Sequence, residues 1–126
     1  RACSNAKALA EFLNTYPDIT VNYPGLACSP WHDVTDKVLA NGYGAILTIR
    51  VGSKERAFSI INNLSIPKIV SNIGDKTLII HPESTLNAHS TEKEKEDAGV
   101  FDNLIRISVG IEDIEDLIED FKAALA

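Results

Sequence analysis

Methionine is absent from all 126 residues, and there are only two cysteines and one tryptophan. Two thiols, Cys3 and Cys28, are too few to staple a domain of this size. Neither stands at metal-ligand spacing from a histidine or from the other. Both are expected to be free thiols in a cytoplasmic protein. No apolar run approaches the ~20 residues that a membrane span requires, and no segment reads as a secretory leader. Basic residues are in the minority: 12 Lys and Arg against 18 Asp and Glu give a net charge of −6. That balance argues against a nucleic-acid footprint. The glycines form neither a GxGxxG nor a Walker pattern. Ser84, Thr85 and Ser90 lack a GxSxG context, and His32, His81 and His89 are scattered. No catalytic residue and no metal site is therefore expected.

What is present suits one globular domain over residues 1–126, with 44% hydrophobic and 24% charged residues. Residues 1–15 read as a helix with Ala2, Ala6, Leu9, Ala10 and Leu13 on one stripe. No Ser, Thr, Asp or Asn precedes Ala2 as a cap. Arg1 is also a poor residue to be exposed by trimming of a start methionine. The expectation is a piece of a longer chain that begins inside a helix. Ile19 to Tyr23 reads as a strand stopped by Pro24-Gly25. Ser29-Pro30 reads as the start of a helix running to about Ala40, closed by Asn41-Gly42.

Gly44 to Val51 is expected to be a strand with Ala45, Leu47, Ile49 and Val51 on one face. Ser53 is expected to cap a helix through Asn62 or Asn63, and residues 64–75 read as irregular. Thr77 to His81 is a short strand. Thr91 and Glu94 form a capping box for a charged, exposed helix that stops at Gly99. Leu104 to Val109 alternates strictly, with Ile105, Ile107 and Val109 opposite Leu104, Arg106 and Ser108. A final helix carries Ile111, Ile114, Leu117, Ile118, Phe121 and Leu125 as its stripe, and its acidic residues read as a solvated face. This order predicts an α/β (α+β) domain: about four strands, mostly antiparallel, with helices on one face.

Arg106 is the best candidate binding residue. It sits mid-strand, between isoleucines and on the opposite face, and its planar fork matches a carboxylate with two hydrogen bonds. The plainer alternative pairs it with Glu112 or Asp113 at the sheet surface. Asn72, in Ser71-Asn72-Ile73-Gly74-Asp75, suits either a ligand-touching loop or an ordinary turn. The eight lysines read as exposed, with none in a setting that depresses its pKa.

Three segments carry a resemblance. Leu104-Ile105-Arg106-Ile107-Ser108-Val109-Gly110-Ile111-Glu112-Asp113, followed by Asp116-Leu117-Ile118, closely resembles the end of the Cys/Met-metabolism (trans-sulfuration) family of pyridoxal-phosphate (PLP) enzymes. Asn72-Ile73-Gly74-Asp75 with Leu78-Ile79-Ile80-His81-Pro82 and Ser84-Thr85 resembles the segment before it, and Asn22-Tyr23-Pro24-Gly25-Leu26 the first strand of its small domain. The resemblance implies the C-terminal small domain of a fold-type I PLP-dependent transferase, with a large PLP-binding domain that these residues lack. It implies that Arg106 binds the substrate α-carboxylate and that Asn72 lies beside it.

The same resemblance places the cofactor lysine, the ring-stacking aromatic and the phosphate-binding residues in the large domain. PLP is thus expected in a full-length enzyme and not on this chain alone. Family members are homotetramers built mainly through the large domain, so a lone small domain is expected to expose apolar surface along its first helix. The Asn-x-Gly-Asp loop is most similar to O-acetylhomoserine sulfhydrylases, which replace the γ-substituent of an O-acylhomoserine by sulfide or a thiol. Methionine γ-lyase and cystathionine synthase or lyase are the alternatives within the family, and a free-standing small-anion module is the alternative outside it. Two departures stand out: the loop between Asp75 and Thr77 is one residue short, and the family's Thr-His after Ser-Thr is Leu86-Asn87 here.

Overall fold

Strict alternation puts two isoleucines on one side of β5 (Leu104–Ser108), and both are fully buried. In this computed structural model, which describes residues 1–126, β5 is the central strand of a five-stranded sheet ordered β1-β2-β5-β4-β3. It runs antiparallel to β2 (Ile46–Arg50) on one side and to β4 (Leu78–Ile80) on the other. Ile107 faces Leu47 and Ile79, and Ile105 faces Ile49, so one surface of the sheet is continuously apolar. The strand β1 (Thr20–Asn22) extends the sheet beyond β2.

The fifth strand, β3 (Lys68–Ile69), lies within the stretch expected to be irregular. It pairs parallel with β4 over two residues and is exposed. Two residues at a sheet edge leave no alternation to read, so its pairing is a tertiary outcome.

Three helices cover the apolar surface. Those are α1 (Ala2–Leu13), α3 (Lys54–Asn63) and α5 (Ile114–Leu125), which bring Ala6, Leu9, Ile60, Leu117 and Phe121 into a core of 21 buried residues. Their starts follow local rules. Ser53 Oγ accepts from the Arg56 N–H at 3.1 Å, and Asp113 Oδ1 accepts from the Glu115 N–H at 2.9 Å. Asn5 is buried at the helix–sheet junction, where its amide donates to the carbonyls of Gly110 and Glu112 at 3.1 and 2.7 Å.

Four expectations shift. First, α2 (His32–Val38) is shorter than expected, and its N-cap is Trp31 with no side-chain cap bond; Ser29-Pro30 forms the turn before it. Second, α2 buries no side chain. Trp31 is 64% exposed and Val38 73%, so the exposed apolar surface lies along α2, while α1 turns its stripe onto α5 and β2. Third, the acidic end is only partly a solvated face, because Asp120 accepts from the Ser65 and Ile66 N–H groups at 2.9–3.1 Å. Fourth, α4 (Glu92–Asp97) has the expected Thr91 and Glu94 capping box, yet it buries Lys95.

The loop after β3 is tied to the end of β5. Glu112 accepts from the Thr77 N–H at 2.5 Å and from its hydroxyl at 2.8 Å. The Gly110 N–H donates to Thr77 Oγ1 at 2.9 Å, and the Ile111 N–H donates to the Asp75 carbonyl at 2.8 Å. A Cβ on Gly110 would collide with the Asp75 carbonyl and stand 2.6 Å from the Lys76 carbonyl carbon. The Glu112 carboxylate, 2.5 Å away, could swing aside only by releasing Thr77, and the Asp75-Lys76 backbone cannot swing aside at all. Gly110→Ala should therefore cost about 1–3 kcal/mol in urea unfolding, and a variant as stable as the native chain would contradict this packing.

Candidate functional site

Register decides what shares the outer face of the sheet. Arg106 stands opposite Thr48 on β2 and Ile80 on β4, and Thr48 stands opposite Asn22 on β1. Arg50 stands opposite Thr20 and Leu104. All of them but Ile80 floor a cleft of about 460 Å³. Its other wall is the segment after β4, through Pro82, Leu86 and Asn87, together with Ala98 to Phe101. No Asp, Glu or Lys lines it, so its only charges are two guanidinium groups in a chain of net charge −6.

The side chain of Arg106, a half-buried residue, has no hydrogen bond or ion pair within the protein. Its two suggested partners are engaged elsewhere. Glu112 holds Thr77, and Asp113 caps α5. A half-buried arginine with an open fork, in a concavity free of carboxylates, is chemically a receptor for an anion. Asn72 is exposed and outside the cleft lining. Its Oδ1 accepts from the adjacent Ile73 N–H at 2.8 Å, a contact within the loop itself. The chain alone thus places Arg106 in the cleft and does not bring Asn72 to its lining.

The outer wall is held by part-buried polar contacts. The Asp102 carbonyl can only accept, so His81 donates to it through Nε2 at 2.5 Å. Nδ1 then accepts from the Ser84 hydroxyl at 2.7 Å. Glu83 takes the Lys54 and Lys95 ammonium groups at 2.8 Å each. The Lys54 bond, seconded by that of Lys95, pulls the Glu83 pKa down to about 2. The Lys95 pKa is raised in return, chiefly by Glu83.

Arg50, Thr48 and Phe101 join Arg106 in the cleft but were not singled out from the sequence, whereas Asn22 and Asn87, also in its lining, stood there only as motif positions. The alternation of β2 does mark Thr48 and Arg50 as facing away from Leu47 and Ile49. Strand pairing, which puts them beside Arg106, has no local signature.

A cofactor held as a Schiff base needs a lysine that can lose its proton beside a binding cavity. Lys95 is the one buried lysine, and it is pinned in ion pairs that favour its charged form. No lysine lines the cleft. The residues present therefore do not fit a PLP-bearing site, and they fit an anion site well.

A family profile described as Cys/Met metabolism PLP-dependent enzyme matches residues 1–126. The chain is 41% identical to the homocysteine synthase of Schizosaccharomyces pombe, over 99% of this chain and 30% of that protein. It is 40% identical to an L-methionine gamma-lyase of Fusobacterium nucleatum subsp. polymorphum, over 99% of this chain and 32% of that protein. A solved structure of a putative O-acetylhomoserine (thiol)-lyase from Campylobacter jejuni superposes with a TM-score of 0.93 at 37% identity. It covers 98% of this chain and 30% of that one, and it carries a pyridoxyl-lysine phosphate. The chain thus spans about a third of the length of these relatives.

The Glu83 clamp has a pH signature. A carboxylate whose folded pKa lies near 2, below its ordinary value of 4.5, stabilises the fold fully above that ordinary value. The contribution fades as pH falls from there toward 2. Glu83→Gln should cost about 1–2 kcal/mol at neutral pH, since Lys54 remains more than a third exposed. The gap between variant and native chain should close near pH 2 in denaturant titrations. A gap that persists there would remove the ion pairs as its cause.

Proposed function

The chain belongs to the Cys/Met metabolism PLP-dependent enzyme family, and on that premise we propose that it is the substrate-reading C-terminal small domain of a PLP-dependent sulfur amino-acid enzyme. The observation that carries this reading is the open guanidinium of Arg106 in an acid-free cleft. Arg106 would bind the α-carboxylate of an amino acid through two parallel hydrogen bonds and fix its orientation. PLP would supply the electron sink for the chemistry at the α-carbon, held by residues outside this chain. Asn72 would join the site only when its loop is closed by the rest of the enzyme.

Among the family's activities we favour γ-replacement on an O-acylhomoserine by sulfide or a thiol. The Asn72-Ile73-Gly74-Asp75 loop and the relatives named homocysteine synthase and O-acetyl-L-homoserine sulfhydrylase support this. Leu86-Asn87, where the family pattern has Thr-His, stands in the cleft wall and is suited to shift substrate preference. The apolar surface of α2 supports residues 1–126 as one domain that packs against further protein.

Two measurements test this reading. In a protein of the relatives' length containing this chain, Arg106→Ala should raise KM for the amino-acid substrate, the lost charge-assisted pair costing about 1.5–3 kcal/mol, roughly 10- to 150-fold. An unchanged kcat/KM would remove Arg106 from the site. Residues 1–126 alone, mixed with PLP, should show no borohydride-reducible Schiff-base absorbance at a defined lysine. Its stoichiometric appearance would contradict the division of labour.

A further inference from the structure

The cleft holds a second guanidinium that the role of Arg106 leaves unused. Thr48 faces Arg106 and Arg50 faces Leu104 across β2 and β5, which makes the two arginines diagonal neighbours on one face. Residues so related stand about 7–8 Å apart. Arg50 is exposed but held on two sides. Nε donates to Asn103 Oδ1 at 3.3 Å, and the guanidinium carbon lies 3.8 Å from the centroid of the Phe101 ring. Asn103 is itself fixed, its amide donating to the Val51 carbonyl at 2.6 Å and its carbonyl accepting from the Val51 N–H at 3.0 Å.

Both terminal nitrogens of Arg50 are left without a protein partner, although the chain carries 18 acidic residues. An oriented fork with unused donors, beside a second one, is a preorganised receptor for two anionic groups. The two like charges repel while the cleft holds no anion, and a bridging diacid removes that repulsion.

We propose that Arg50 is a second anchor, reading a carboxylate at the far end of the ligand whose α-carboxylate Arg106 holds. This rests on the carboxylate role of Arg106. The ligand class is an amino acid with a distal acid, joined by an uncharged spacer. Leu86, Val100 and Leu104 offer that spacer an apolar surface.

L-2-aminoadipate and L-norleucine have equal chain length and differ only in a distal carboxylate against a methyl group, so they isolate the second anchor. Titrated into the isotope-labelled chain, they are read by NMR at the Nε–H signals of Arg50 and Arg106. Aminoadipate should bind about tenfold more tightly than norleucine and shift both signals. Arg50→Gln should collapse that ratio to about one. Arg50→Lys, which keeps the charge and loses the fork, should restore only part of it. Equal affinities, with Arg106 shifting and Arg50 still, would overturn the second anchor and leave the reading of Arg106 intact. If neither amino acid moves Arg106, both fall. If norleucine with added acetate reproduces the aminoadipate response, Arg50 serves a separate anion and the two-ended ligand is overturned.

Discussion

The pairing of β5 with strands on both sides is the constraint on which everything else depends. Because its pleat alternates, burying Ile105 and Ile107 under three helices forces Arg106 to the opposite surface. A one-residue slip would exchange the isoleucines for the arginine, exposing a core and burying a charge. Either penalty amounts to several kcal/mol, so the position of the guanidinium is as secure as the core itself. The same pairing lays Thr48, Arg50 and Asn22 beside it.

The cleft is stiff on two sides. Its floor is sheet. Its wall is fastened by His81 between Ser84 and Asp102, and by Glu83 between two lysines. Contacts of this kind are costly to break where the partner left behind is buried, as His81 and Lys95 are. At the other end of β5, Gly110, Thr77 and Glu112 lock the approach to the loop that carries Asn72. That loop remains exposed here, and the Asn72 side chain reaches only the N–H of its neighbour Ile73. The arginine is thus prepared by the chain alone, while its suggested companion is not.

Charge is distributed unevenly over the surface. A chain of net charge −6 keeps every carboxylate out of one cleft and leaves two guanidinium groups there. A half-buried guanidinium and an exposed one share a concavity with no counterion of the protein's own, an arrangement suited to an anion from outside. The lysine that a cofactor would need has no counterpart in the cleft, in keeping with a match to only about a third of the relatives' length.

The amino-acid sequence by itself determined the alternation of residues 104–109, the helical stripes, the Thr91 capping box and the outward placing of Arg106. Each is a local pattern whose period equals that of the element it builds. It also carried the family motif in which Arg106 stands. Only the tertiary structure decided which strands are neighbours, and with that the company of Arg50, the two-residue β3, the burial of Lys95 against Glu83, and the turn of the α1 stripe onto α5 and β2. Those outcomes depend on contacts between residues far apart in the chain, as in the 29 positions separating Lys54 from Glu83. No window of sequence contains both partners, and the helix, edge or loop that each occupies gives no sign of the other.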